Sequence, residues 1–511
     1  KRYNHNRSNT RIQDFDMGKL TPTRASHCVA GTTLVGGVSA AIELAPMVHM
    51  ALGTIRTDTF AIAAADRILW KDAEDFYTGG DDGNTRPTPP YIVAPADGGW
   101  PIGSLADYLG FPTGVPNLKC NALPFRLYAM WWNENVRDEQ LQNELPVSFE
   151  SGLDIVTNTE LQSMNWPKDM FTTARPEATL GDDVVIPLAT SAPVIGTGMA
   201  VGLTDGTRFA GLQRGAVTNN DNCIAASNTG YGADIGTANA DRTGLDNNKL
   251  IGITKDGTKS GMIADMSNTS GILPDDFNFA MARARWKSRR NLFGAAYKDV
   301  LAFLGIKYSD RRLQLPSILA HGKQFVDVNG VLQTAPGTGS VVGQMAGRGT
   351  GYAACKYKTY FEEWTTVIHL ICVRPAPLYV NMNNPEWQFE VREDVPTPEF
   401  MHVGMVEEKV GTLFPTGDET KDSVRFGFRN RYDEVRSGFN QVCGKFKTTN
   451  KSYHQGREFD NAPALNSDFL ECLPSPRIFA DMTASHIEAA AIRNTFIERN
   501  FVTPDGNPYY N

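Results

Sequence analysis

Between Asn121 and Val147 the chain reads Asn-Ala-Leu-Pro-Phe-Arg-Leu-Tyr-Ala-Met-Trp-Trp-Asn-Glu-Asn-Val-Arg-Asp-Glu-Gln-Leu-Gln-Asn-Glu-Leu-Pro-Val. Pro124 suits the first turn of a helix, where its missing N–H costs nothing. Phe125, Tyr128, Ala129, Trp132 and Val136 then recur at helical spacing, giving one large aromatic face. Asn133, Glu134, Arg137, Asp138 and Glu139 fall on the other face, and Pro146 ends the pattern. The spacing predicts a helix over 124–142 with its aromatic face in a core and its charged face in water.

Most other apolar runs are short, and 47 Gly and 29 Pro interrupt them. That punctuation favours a β-rich chain over a helical one. Residues 31–44 read as a strand with glycine breaks. Thr54–Ala63 alternates and reads as another, and Glu363–Arg374 is a largely continuous apolar strand buried on both faces. His369 inside that strand reads as a core histidine, since no second ligand sits at metal spacing. Pro274-Asp-Asp-Phe277 starts a helix with acids at its positive end, followed by Arg283, Arg285, Lys287, Arg289 and Arg290. A further helical segment has Tyr297, Val300, Leu301 and Leu304 on one face and Gly305 as its C′ residue.

A chain of 511 residues exceeds the needs of one core and implies several domains or one domain with large insertions. Residues 189–271, dominated by Gly, Thr, Asn, Asp and Ala, read as a surface insertion with short strands. The net charge of −8 argues against a surface wholly devoted to nucleic acid but leaves room for a local basic patch. Seven scattered cysteines, odd in number and without a Cys-x-x-Cys pair, fit reduced thiols in an intracellular setting. No signal peptide and no 18-residue apolar run is visible. The chain does not begin with Met, which points to trimming or to a longer parent.

Motifs for metalloprotease, serine-hydrolase and P-loop chemistry are missing from the sequence. Gly347-Arg-Gly-Thr-Gly351 lacks dinucleotide-loop spacing and reads as a turn or close-packing loop. The acidic clusters at Asp81–Asn84 and Asp205–Arg208 follow no Ca²⁺-loop pattern and read as solvated turns. No catalytic residue, metal ligand or cofactor is therefore assigned.

The order Leu-Pro-Phe-Arg-x-Tyr-x-x-x-Trp-Asn-Glu-x-x-Arg-Asp-x-x-Leu-Gln, over Leu123–Gln142, resembles the signature of the major capsid proteins of small icosahedral single-stranded DNA phages. These are the Microviridae, especially their gokushovirus-like branch. Other stretches resemble the same family in the same order. They are Phe15–Arg24, Thr54–Trp70 (with Asp66 where the family has Asn), Trp166–Ala178 (with Met170 in place of an aromatic), Tyr308–Gly322, Ser423–Lys447 and Pro463–Phe469.

The resemblance implies a mainly β fold: a single eight-stranded antiparallel jelly-roll barrel with long inter-strand insertions and a few helices. The expected organisation is a basic arm over 1–14, barrel parts over 15–188 and 272–480, a protrusion over 189–271 and an extension over 481–511. The implied role is structural: a major capsid protein that self-assembles, through pentamers, into a T=1 shell around circular single-stranded DNA. The protein is then found in the virion and assembled in the host bacterial cytoplasm, without a membrane span. Expected partners are further copies of the chain, the packaged DNA, a small basic packaging protein, minor pilot or spike proteins and a host receptor. For DNA inside the shell the candidates are Lys1, Arg2, Arg7 and Arg11 of the arm, and Arg429, Arg431, Arg436, Lys445 and Lys447 with Phe428 and Phe446. The arm reads equally as a disordered tail, and Arg431 and Arg436 equally as partners of Asp433 and Glu434. Trp131, Trp132, Trp286 and Tyr432 are candidates for contacts between copies or for ordinary core packing. The rival readings are a carbohydrate-binding or carbohydrate-active β-sandwich and a tail or spike adhesin. The first predicts a signal peptide and paired cysteines, the second repeats or heptads, and neither explains the ordered motifs.

Overall fold

A computed structural model describes residues 1–504 except 82, 182–193, 197–201, 205–208, 212–249, 253–261, 265–273, 295–296, 307–308, 311, 333, 335–342 and 344. The chain divides into two compact units, one of residues 1–180 and 287–511, the other of residues 181–286. The first holds one antiparallel sheet of nine strands. They are β1 (Tyr3–Asn6), β2 (Asn9–Phe15), β3 (Thr21–Cys28), β4 (Thr32–Leu44), β5 (Ile55–Ala65), β6 (Ser317–Leu332), β7 (Met345–Phe361), β8 (Thr365–Pro375) and β9 (Ile487–Asn500). Their order is β1-β9-β4-β7-β6-β5-β8-β3, with β2 also paired to β9. The mainly β expectation holds, with nine strands in the sheet where eight were expected. The residues read as an arm supply two of them, because β1 and β2 satisfy their backbone groups on β9. Residues 481–511, read as an extension, contain β9 itself, which sits between β4 and the N-terminal strands.

The sheet curls until its β3 edge faces β9, and side chains bridge the seam. Asn494 on β9 accepts at Oδ1 from Thr23 Oγ1 at 3.1 Å and donates from Nδ2 to the Thr23 carbonyl at 3.1 Å. That amide orientation makes Oδ1 an acceptor for His369 Nδ1 at 3.0 Å, so Nε2 accepts from the Tyr357 hydroxyl at 2.8 Å. Four strands thus meet at one fully buried histidine. Arg24 adds a second bridge from β3: Nη1 donates to the Arg7 carbonyl and Asn9 Oδ1 at 2.7 and 2.8 Å, and the guanidinium covers the Phe496 ring at 4.1 Å.

One half of the sheet carries a helical layer, with α1 (Asp66–Leu69), α2 (Ala73–Thr78), α3 (Leu105–Leu109) and α4 (Leu123–Asn135). Phe125, Tyr128, Trp131 and Trp132 of α4 lie in one core with Phe60, Ile368 and Leu370 of β5 and β8. Arg126 is fully buried too, and its three bonds run to Asp154 Oδ2 at 2.9 Å, the Leu69 carbonyl at 3.0 Å and the Glu150 carbonyl at 2.8 Å. A buried charge survives only with such pairing. The helix stops at Asn135, short of the expected 142. Asn133 exchanges two 2.8 Å bonds with the backbone of Leu145, and Asp138 caps the amide of Gln140 at 3.0 Å, so the polar end of the motif turns the chain back.

Two further readings change. Gly347–Gly351 belongs to strand β7, not to a turn or loop, although close packing is its role. A Cβ on Gly347 would lie 2.5 Å from the His49 carbonyl oxygen. The helices α5 (Pro274–Phe293) and α6 (Tyr297–Phe303) form as the spacing predicts, and Gly305 ends α6 at φ +74°. None of α6 is buried, however, and Tyr297 and Leu304 of its apolar face are exposed. The expected protrusion over 189–271 lies largely outside the described residues, which there contain only short strands such as Gly202–Thr204 and Met262–Ala264.

Burial lowers the pKa of His369 from 6.5 to about 4, against the favourable bond to Asn494. The unfolded chain therefore binds the extra proton between those values, and the native state gives up stability as pH falls through that window. Denaturant titrations should show about 3 kcal/mol less stability at pH 4 than at pH 6.5 from this group, and His369→Gln should flatten that slope.

Candidate nucleic-acid interface

The basic candidates divide according to whether a carboxylate or carbonyl already holds them. In the N-terminal strands, Arg7 Nη1 donates to Glu498 Oε1 at 2.9 Å and to the His27 carbonyl at 3.2 Å. Arg11 Nη1 donates to the Tyr108 carbonyl at 2.6 Å, and burial holds its guanidinium below its ordinary value although Asp107 opposes the shift. Arg2 donates to the Gly31 carbonyl and covers the Tyr360 ring at 5.7 Å. Lys1 is exposed and lies 5.3 Å from the Tyr3 ring. Strand pairing on β9 thus turns three of the four cations toward the fold.

The second group sits on and after a hairpin of Met405–Lys409 with Arg425–Asn430. Arg429 is enclosed between the carboxylates of Glu408 and Glu434. Burial disfavours its charge, but the two acids outweigh burial and hold the guanidinium above its ordinary value. Arg436 pairs with Asp433 at 3.4 Å, and Arg431 donates to the Glu393 carbonyl at 3.0 Å. Phe428 exchanges backbone bonds of 2.7 and 2.8 Å with Arg175 and is half-buried beneath Arg425. The ion-pair reading fits Arg436, whereas the acids that hold Arg429 include Glu408, distant in sequence. Lys445 and Lys447, flanking Phe446, make no ion pair among the described residues, and Phe446 meets Tyr453 edge-on at 5.7 Å.

Of the aromatics proposed for contacts between copies, Trp131, Trp132 and Tyr432 are buried, and Tyr432 donates to the Glu393 carbonyl at 2.8 Å. Trp286 is exposed.

Two acids within the Thr54–Trp70 stretch turn out to be buried, with partners that residue order does not reveal. Asp58 on β5 meets Arg56 at 2.9 Å, Arg374 at 2.5 Å and His321 at 3.1 Å, and these three outweigh burial to hold its carboxyl well below the usual range. Asp66, the departure from the family pattern, accepts from His27 at 2.7 Å, Tyr77 at 2.6 Å and Thr366 at 2.9 Å. Other cations escaped the reading as well. Lys323, Lys356, Lys358, Arg493 and Arg499 on β6, β7 and β9 are exposed and make no ion pair among the described residues. Their signal was the period-two spacing of Lys356 with Lys358.

Among the described residues no group of His, Cys, Asp and Glu could hold a metal ion, and no helix is long and apolar enough to cross a membrane. A chain built on a curled antiparallel sheet, with its buried charges spent on structural pairs, is organised as a building block. Residues 1–505 match the family described as Capsid protein (F protein), and the chain belongs to that family. It is a structural component of a bacteriophage virion, not an enzyme.

Among its relatives is the "Capsid protein VP1" of Chlamydia phage 1, 26% identical over 539 residues that cover 92% of this chain and 89% of the relative. The "Capsid protein VP1" of Bdellovibrio phage phiMH2K is 28% identical over 478 residues, covering 91% of this chain and 87% of that one. That of Spiroplasma virus 4 is 25% identical over 489 residues, covering 90% and 86%.

Arg429→Met leaves Glu408 buried without its partner and should cost about 3–5 kcal/mol in denaturant unfolding. Lys445→Ala and Lys447→Ala should each change stability by less than about 0.5 kcal/mol in the same titration.

Proposed function

We propose that the chain is the major capsid protein of a small single-stranded DNA phage, assembling through pentamers into a T=1 icosahedral shell around a circular genome. The observation that carries this reading is the family match over residues 1–505 together with relatives named as phage capsid proteins. Within that reading the nine-stranded sheet is the jelly roll: eight strands lie on one hydrogen-bonded path and β2 joins beside β1 on β9. The insertions between barrel strands, including the protrusion over 189–271, provide surface for contacts that close around symmetry axes.

A net charge of −8 cannot neutralise a packaged genome, so a separate small basic protein accompanies the DNA. Minor pilot or spike proteins and a host receptor complete the partners, and assembly takes place in the host bacterial cytoplasm. From the two candidate groups, the cations that no carboxylate or carbonyl holds among the described residues are Lys1, Lys445 and Lys447, with Phe446 beside the last two.

Negative-stain electron microscopy with size-exclusion chromatography tests the shell. Closed isometric particles, or pentamers that form them, are expected. A monomer that assembles at no ionic strength would overturn the proposal. Particles from infected cells should contain circular single-stranded DNA and a small basic polypeptide, and particles without that polypeptide would remove the packaging partner.

A further inference from the structure

Among the described residues, the sheet is covered on one half of its outer face and bare on the other. β5 and β8 are buried on both faces almost throughout, whereas β4, β6, β7 and β9 alternate buried with exposed positions. The outward positions of these four strands form one surface. Register places Tyr352 beside Ala41 and Ala41 beside Ala491. In the same way Lys356, Gly37 and Thr495 form a row, and so do Lys358, Val35 and Ile497. Tyr360, Thr33 and Arg499 form another row, and Ser39 lies beside Arg493. Lys323 and Phe325 stand on β6 beside Asp58 and Arg56 of β5, just before β6 pairs with β7 from Val326 onward.

The composition of the surface is specific. Five cations, Lys323, Lys356, Lys358, Arg493 and Arg499, are exposed and without an ion pair among the described residues. Glu43 is already held by Arg348, and Asp327 and Glu488 stand at the margins. Phe325 and Tyr352 are each 64% exposed, and Tyr360 is 45% exposed. Between them the floor is flat, made of Gly37, Ser39, Ala41 and Ala491. A side chain at Gly37 would meet the Cys355 carbonyl oxygen at 2.6 Å, so the floor stays low there. Alternate cations along a strand recur at about 7 Å, a repeat suited to an extended charged backbone.

We infer that this bare sheet face is the surface on which the capsid protein binds single-stranded DNA. The five cations contact phosphates, and Phe325 and Tyr352 stack unpaired bases. The inference rests on the reading that the shell encloses single-stranded DNA, and it names where the chain meets it. Exposed rings on a flat, basic sheet favour unstacked bases, because a duplex keeps its bases inside and is read by elements that enter a groove. An acidic polypeptide would use the cations but leave the rings without stacking partners.

The test uses the purified full chain and fluorescence anisotropy with an oligodeoxythymidylate over a salt series. Lys356→Glu with Lys358→Glu should weaken binding at least about tenfold and flatten the salt slope by about 1.4, at about 0.7 for each phosphate contact on a single strand. Lys356→Arg with Lys358→Arg should bind as the parent does. Phe325→Ala with Tyr352→Ala should weaken binding and leave the salt slope unchanged. Circular dichroism and particle formation establish that each variant folds, and lysine-acetylation footprinting of DNA-filled particles should show Lys323, Lys356 and Lys358 protected. Unchanged affinity in the charge-reversed variant would overturn the inference, most clearly if Lys445→Glu with Lys447→Glu abolished binding instead. Poly-glutamate binding as tightly as the oligonucleotide would also overturn it. Parent protein that forms particles but binds no oligonucleotide removes this face and leaves the shell standing. Parent protein that forms no particles removes the reading beneath it.

Discussion

Asn494 holds the seam on which the rest of the sheet depends. A nine-stranded antiparallel sheet has two edges, and an unpaired edge is a standing invitation to aggregation. Here the β3 edge is brought against β9 without a continuous backbone ladder, so side chains must do the joining. The Asn494 amide binds Thr23 in both directions and fixes the tautomer of His369, which in turn takes the Tyr357 hydroxyl. Every polar atom in that chain has a directed partner, which is the condition for polar groups to sit inside a core. Arg24 reinforces the same seam by binding the Arg7 carbonyl in the link after β1 and Asn9 at the start of β2. The N-terminal strands therefore belong to the closure of the sheet.

Closing the sheet leaves it with two unlike halves. The half under α4 is apolar on both faces and draws its packing from the Leu123–Asn135 helix. The charges in the packed interior, Asp58 with Arg374 and Arg126 with Asp154, are matched and hydrogen-bonded, as desolvated charges must be. The other half alternates, and five of its outward cations make no ion pair among the described residues, while Arg348 is matched by Glu43. In an acidic protein that segregation matters more than net charge: the excess of carboxylates is distributed elsewhere, and one face stays basic.

Much of the architecture was legible in residue order. Strands β4, β5 and β8, the start of α4, both later helices and the Gly305 terminus follow from spacing and turn chemistry that act over a few residues. The burial of His369 was legible too, since its neighbours in β8 are continuously apolar. The pairing of residues 3–15 with β9 was not, because those strands are polar, short and joined to a partner nearly 500 positions away. The end of α4 was hidden for a similar reason: Asn133 chooses Leu145, and a helical pattern does not reveal that choice.

The candidate DNA-binding residues show the same division. Sequence alone determined the kind of groups required, basic and aromatic, and ordered the motifs that the capsid family shares. It could not decide which cations were free. Arg429 looked available until the fold set Glu408 beside it, and Arg7 until Glu498 arrived from the last strand. Conversely, Lys356 and Lys358 were not among the candidates, and only β4 and β9 bring Arg493 and Arg499 onto the same face as them. Charge type is a property of the residue. Charge availability depends on which carboxylates lie within a few ångströms, and only the tertiary structure fixes that.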